Sequence, residues 1–136
     1  MEKLAIVLAL NGALVLMTSL LAGVFLYRTL LKNDNPHGWH LLHAGGSGRA
    51  VMLLALASVI HLAALPVWLI SATVLAIILF AWASTISMII TAITGEHGFS
   101  LSGPFINRLA HVLYIIGAAA VFLAVVILIY GFAAAL

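Results

Sequence analysis

Histidines are the main candidates for chemistry in this sequence, which has six of them, five Lys or Arg, three Asp or Glu, and no cysteine. His37, His40 and His43 are spaced by three residues, so on a helix they form one stripe, each turned by about 60° from the last. Four small residues, Ala44 to Ser47, follow His43 and allow a flat ligand or a neighbouring backbone to approach closely. Neutral imidazole binds metals. A ligand role for His43 is therefore one interpretation, and solvation at a membrane interface is the other, favoured for His37 and His40.

Two arginines and a further histidine are the other polar residues that need an explanation. An arginine near the middle of a membrane costs about 2.5 to 3.5 kcal/mol on insertion scales. Arg49 therefore either faces the bundle interior or an anionic partner, or it extends to the surface from a first helical turn if the helix begins only at Ser47. Arg108 and His111 are three residues apart and are expected on the same membrane side as His43. They either line the same site or contact a lipid phosphate and a neighbouring helix.

The elements that position these residues are four apolar segments. The chain is 66% hydrophobic and 6% charged, with a mean hydropathy of +1.34, whereas soluble domains are about one quarter charged. This composition excludes a soluble globular protein, a disordered chain and a nucleic-acid binder. A hydrocarbon core about 30 Å thick needs about 20 apolar residues. The sequence predicts one all-α domain over residues 1–136, an integral membrane bundle with transmembrane helices at about 4–31, 39–65, 67–93 and 104–135.

The charges beside the loops indicate the orientation of the chain in the membrane, and the residue types missing from the helices restrict the possible cofactors. Four crossings place loops one and three on one side, which the excess of Lys and Arg there predicts to be cytoplasmic. No predicted helix contains a carboxylate, which disfavours a carboxylate-rich di-iron site. Haem b needs only one histidine and a deep apolar pocket. Haem b is therefore the cofactor that these residue types could hold, and at this stage a ligand role for His43 and its solvation at the interface are both open interpretations.

Several segments together resemble the bacterial styrene oxide isomerases over nearly the whole chain. The most specific is Pro36 to His43, which is similar to a Pro-x-Gly-Trp-x-x-x-His segment whose last residue is the axial ligand of haem b in that family. Asn11-Gly12 with Ala22-Gly23-Val24 is similar to the first helix of the family. Trp82-Ala83 matches a Trp-Ala pair in the third helix, and residues 97–104 resemble the third loop.

This resemblance implies a homotrimer with ferric haem b at each subunit interface. It implies that His43 binds the iron, and we expect the haem pocket to be lined by Trp39, Gly45, Arg49, Arg108 and His111. It implies a Meinwald rearrangement of an aryl epoxide to an aldehyde, in which iron bound by His43 acts as a Lewis acid on the epoxide oxygen. Two positions differ from the family. Its epoxide-orienting Asn falls on Arg49, and its active-site Tyr falls at or near Met88, whose thioether donates no hydrogen bond. These two positions are the candidates for the catalytic site, and Arg49 could instead bind a haem propionate or a substrate carboxylate.

The expected partners are a small apolar substrate such as an epoxide, the lipid bilayer and further copies of the chain, with no nucleic acid. The expected location is the bacterial inner membrane. Two other functions remain open at this point. One is a haem b protein for electron transfer or gas binding, with His111 as a second axial ligand. The other is a structural or transport subunit without a cofactor.

Overall fold

The computed structural model describes residues 1–95, 101 and 103–136, and these residues form helices and their connections without a strand. Helix α1 spans Glu2–Leu31, α2 spans His37–Val59, α3 spans Val67–Thr94 and α4 spans Phe105–Ala133. A 3-10 turn, Ile60–Leu62, extends α2. All four helices are long and apolar enough to cross a membrane. The predicted all-α bundle of four membrane-spanning helices is confirmed.

The helices begin and end where the sequence provides breakers. Pro66 and Pro104 are the N-caps of α3 and α4, and each has an extended backbone conformation. Gly95 ends α3 with a φ of 72°, a left-handed conformation that a side chain disfavours. Asn35 Oδ1 accepts a hydrogen bond of 3.0 Å from the backbone N–H of His37, the first residue of α2. These ends place His37 and Phe105 at the starts of two helices that run in the same direction.

Helix α2 differs from the sequence expectation at both ends. Its glycines do not interrupt it, because α2 is continuous from His37 through Ser47, so the interpretation in which the helix begins at Ser47 is wrong. At the other end the chain becomes extended at Ala63 instead of remaining helical to Leu65. A residue before proline is disfavoured in the helical conformation. The connection also packs on the end of α4, where the Ala64 N–H donates to the Gly131 carbonyl at 2.9 Å.

Packing follows the chain order, with α1 against α2, α2 against α3, and α3 against α4. Small residues lie at the contacts between the helices. Gly117 of α4 faces Ala83 and Phe80 of α3, and a Cβ there would lie 3.4 Å from each. Small residues let helix backbones approach closely where no water drives association. The buried apolar core contains mainly Leu8, Val15, Leu53, Ile70, Val74, Ile77 and Leu128.

Candidate functional site

His43 lies half-buried in the second turn of α2 and faces α1. Its Nδ1 lies 2.8 Å from the backbone carbonyl oxygen of Ser19. A carbonyl only accepts hydrogen bonds, so Nδ1 must carry the proton and donate it. The lone pair of the neutral ring is then on Nε2. Ser19 therefore fixes the tautomer in which Nε2 is the available ligand atom, the arrangement usual for histidines that bind metals.

The backbone of His43 is held by the same contact between α1 and α2. The Ser19 hydroxyl donates to the His43 carbonyl at 2.5 Å, and the Ser47 hydroxyl donates to the same oxygen at 2.8 Å. The two hydroxyl oxygens are 2.7 Å apart. Ser19 is fully buried. Because both the ring and the backbone of His43 are bonded, its position is set by α1 as well as by its own helix.

Two glycines make this contact possible. A Cβ on Gly23 of α1 would lie 3.0 Å from both Cε1 and Nδ1 of His43, and a Cβ on Gly46 would lie 2.9 Å from Cβ of Ser19. Real Cβ atoms essentially never show a contact as short as the one at Gly46, and the distances at Gly23 are tighter than nine in ten real Cβ contacts. Gly23 thus provides the space for the imidazole, and Gly46 provides the space for Ser19.

An apolar groove of about 280 Å³ lies between α1, α2 and α3, beside the His43 contact. Trp39, one helical turn before His43, stacks on Phe25 of α1 with ring centroids 4.8 Å apart and an interplanar angle of 24°. Both rings line the groove with Leu42 and Ile89. Such a surface suits a small apolar or aromatic molecule.

Arg49 is buried, with 8% of its surface exposed. Because it follows His43 by six residues, it lies on a different side of α2. Its Nη2 donates to Sδ of Met88 on α3 at 3.0 Å, and its Nε is buried without a hydrogen-bond partner. Gly45 borders this pair, because a Cβ there would lie 3.3 Å from Nη1 of Arg49 and 3.2 Å from Cε of Met88. The sequence predicted Arg49 and Met88 as candidates for the catalytic site and Gly45 as part of the cofactor pocket. The structure brings these three residues together.

Comparison with known protein families decides the classification of this chain. The family model described as styrene oxide isomerase matches residues 4–133. The chain belongs to the styrene oxide isomerase family. No curated protein matches it. The resemblance inferred from the Pro36 to His43 segment is therefore confirmed over nearly the whole chain.

In this member of the styrene oxide isomerase family, the two positions at which the sequence is expected to depart from the family pattern contact each other. Arg49 and Met88 form a direct side-chain contact between α2 and α3. Because α2 begins at His37 and its span ends at Leu62, Arg49 lies at the middle of that span. A position in the first helical turn, with the guanidinium at the membrane surface, is therefore wrong for Arg49.

Two further predicted residues, His111 and Arg108, are on another helix. They belong to α4, which packs mainly on α3, whereas the His43 ring faces α1. His111 is the seventh residue of α4, as His43 is the seventh residue of α2. Arg108 is exposed at the loop end of α4. His97 and the other residues of 96–100 lie outside the described residues.

Sequence reasoning missed Ser19 and Tyr114. The residue type alone does not single out Ser19, although Ser19 and Gly23 are spaced by four on α1, as His43 and Ser47 are on α2. Two such small or polar pairs on neighbouring helices indicate a close crossing. Tyr114 of α4 interacts electrostatically with Arg49. No spacing rule connects Tyr114 to Arg49, because they are on different helices.

Proposed function

We propose that the protein is a membrane isomerase that converts a small apolar epoxide into an aldehyde, with haem b bound through His43. Family membership supports an isomerase acting on an epoxide. The observation that carries the haem proposal is the 2.8 Å contact between Nδ1 of His43 and the Ser19 carbonyl. It leaves Nε2 as a ligand atom of fixed orientation.

The donor set also fits haem better than a bare metal ion. Among the described residues, no group of three His, Asp or Glu side chains could hold a metal ion. Haem iron is different, because the porphyrin supplies four ligands and the protein needs to add only one. Trp39 would border the flat macrocycle, and Arg49, Arg108 or His111 would contact its periphery. When bound, ferric haem supplies a Lewis acid that polarises an epoxide oxygen.

The residues of the chain contribute orientation and the exclusion of water. The groove beside His43 presents Phe25, Trp39 and Leu42 to the apolar part of a substrate. In the rearrangement one C–O bond breaks, a hydrogen moves with its electron pair to the neighbouring carbon, and a C=O bond forms. This rearrangement needs no added base, so it is compatible with a groove lined by apolar side chains. Keeping water out prevents hydrolysis of the opened epoxide to a diol.

The absorption spectrum of detergent-purified protein tests the ligand assignment. We expect a Soret band in the wild type, its loss in His43→Ala, and its retention in His61→Ala, which changes an exposed histidine at the other end of α2. Full haem content in His43→Ala would show that the assignment is wrong.

Formation of phenylacetaldehyde from styrene oxide tests the activity. Haem without aldehyde, and with a six-coordinate low-spin spectrum, would instead support electron transfer. A colourless protein from haem-supplied cells would support a subunit without a cofactor.

We also propose that the chain forms a homotrimer in the bacterial inner membrane. The outer surfaces of α1 and α4 support association with lipid or with other copies, because they expose large apolar side chains, including Leu21, Leu123 and Phe122. Native mass spectrometry from detergent tests this proposal. A mass of three chains is expected, and a monomer that retains haem and activity would contradict it.

A further inference from the structure

Arg49 carries a charge that no described carboxylate neutralises. The two described acidic side chains, Glu2 and Asp34, belong to the first residue of α1 and to the loop after α1. Arg49 lies at the middle of the His37–Leu62 span. Leaving a buried charge without a partner is costly, and such residues in membrane helices usually have a functional partner.

The hydrogen-bond donors of Arg49 also lack strong acceptors. A guanidinium has five N–H donors. Its described hydrogen bond goes to the thioether of Met88, a weak acceptor, and Nε is buried without any acceptor. A buried donor without an acceptor is a place where a ligand or an ordered water is expected.

A second buried polar atom without a hydrogen-bond partner belongs to α3, the helix that carries Met88. Thr85 is fully buried and its Oγ1 has no hydrogen-bond partner. It precedes Met88 by three residues, so both side chains lie on one face of α3. Tyr114 of α4 carries a phenol close enough to act electrostatically on Arg49, and Tyr114 is 40% exposed.

We propose that Arg49, Thr85 and Tyr114 form a carboxylate-binding site within the membrane span. A carboxylate neutralises the guanidinium and can accept two parallel hydrogen bonds from it. Its remaining lone pairs can accept from the two hydroxyls. Lipid phosphates lie at the ends of the span, about 15 Å from its middle, so they do not reach Arg49. The carboxylate belongs either to the substrate or to a haem propionate, and this choice of sources rests on the proposed function.

Binding of benzoate to the full chain in detergent, without added haem, tests the site itself. Benzoate and its uncharged analogue methyl benzoate are compared by calorimetry. We expect benzoate to bind at least about tenfold more tightly, the effect of a charge-assisted hydrogen bond. Arg49→Met should remove this preference, Arg49→Lys should retain part of it, and Arg28→Met, a change at an exposed arginine of α1, should leave it unchanged.

The folding of Arg49→Met is expected to survive, because replacing an unpaired buried charge by an apolar side chain is often neutral or stabilising. Its thermal midpoint without benzoate should equal or exceed that of the wild type. Equal binding of acid and ester by the wild type would overturn the proposal. So would a preference that persists in Arg49→Met. Competition by chloride at the same concentration as benzoate would also overturn it, in favour of a general anion site.

The source of the carboxylate is distinguished by two further measurements. If it is a haem propionate, ferric protoporphyrin IX should quench tryptophan fluorescence at lower concentration than its dimethyl ester. That difference should disappear in Arg49→Met, and haem-loaded protein should no longer bind benzoate. If it belongs to the substrate, haem-loaded protein should still bind benzoate. Benzoate binding without haem content or aldehyde formation would refute the proposed function while leaving the carboxylate site supported.

Discussion

The backbone carbonyl of Ser19 accepts a hydrogen bond of 2.8 Å from Nδ1 of His43, across the contact between α1 and α2. The same serine donates its hydroxyl to the His43 carbonyl. One residue of α1 thus bonds both the ring and the backbone of the candidate ligand.

Gly23→Ala should displace the imidazole of His43. The new Cβ would lie 3.0 Å from Cε1 and Nδ1 of the ring, and overpacking of this kind costs about 1 to 3 kcal/mol. Because the tautomer and orientation of a ligand histidine affect metal affinity by about tenfold or more, haem affinity should fall by a similar factor. Haem titration measures it.

Gly48→Ala is the matched control, because a Cβ there meets nothing within 4 Å. Both changes raise helix propensity equally. Equal haem affinity in the two variants would contradict the proposed role of Gly23.

Ser19→Ala should lower the free energy of unfolding in detergent by about 0.6 to 1.7 kcal/mol, the range for hydrogen bonds between membrane helices. It removes the hydroxyl that joins α1 to the His43 carbonyl, while the backbone bond to Nδ1 remains. Thermal unfolding of the purified protein measures the change. Ser71→Ala should have a smaller effect, because that hydroxyl bonds the Val67 carbonyl of its own helix. A larger loss in Ser71→Ala would argue against this account.

Asn11 and Trp82 should be energetically coupled. The indole Nε1–H of Trp82 on α3 donates to Oδ1 of Asn11 on α1 at 2.8 Å. In a double-mutant cycle with Asn11→Ala and Trp82→Phe, we expect a coupling free energy of about 0.6 to 1.7 kcal/mol in thermal or denaturant unfolding. The same cycle with Trp68→Phe, at a residue 70% exposed, should be additive. Additivity in both cycles would show that the bond adds no stability.

Trp39→Ala should weaken substrate binding more than turnover. Trp39 lines the groove and stacks on Phe25, and an aromatic contact of this kind contributes about 0.5 to 1.5 kcal/mol. With styrene oxide as substrate, KM should rise about two- to tenfold while kcat changes less. Steady-state aldehyde formation measures both constants. Trp68→Ala is the control, and an unchanged KM in Trp39→Ala would place the substrate elsewhere.

Much of the fold followed from residue types alone. Runs of apolar residues longer than the hydrocarbon core, separated by Pro36, Pro66 and the segment ending in Pro104, were sufficient to predict four membrane helices. The error at α2 has a physical reason. Its glycines weaken a helix in water, but in this bundle they pack against α1 and α3, where Gly46 faces Ser19 and Gly45 faces Met88. Packing compensates for low helix propensity, and the helix continues.

The sequence by itself also singled out His43 and Arg49. A histidine beside glycines and an arginine within an apolar run are energetically costly in a membrane helix unless they bind a partner. Only the tertiary structure decided what surrounds them. The tautomer of His43 depends on a carbonyl of Ser19, 24 residues away, and the surroundings of Arg49 depend on Met88, 39 residues away. Periodicity along one helix reports which residues share a face. It does not report which face of another helix meets them, because that is set by how closely small residues let the helices approach.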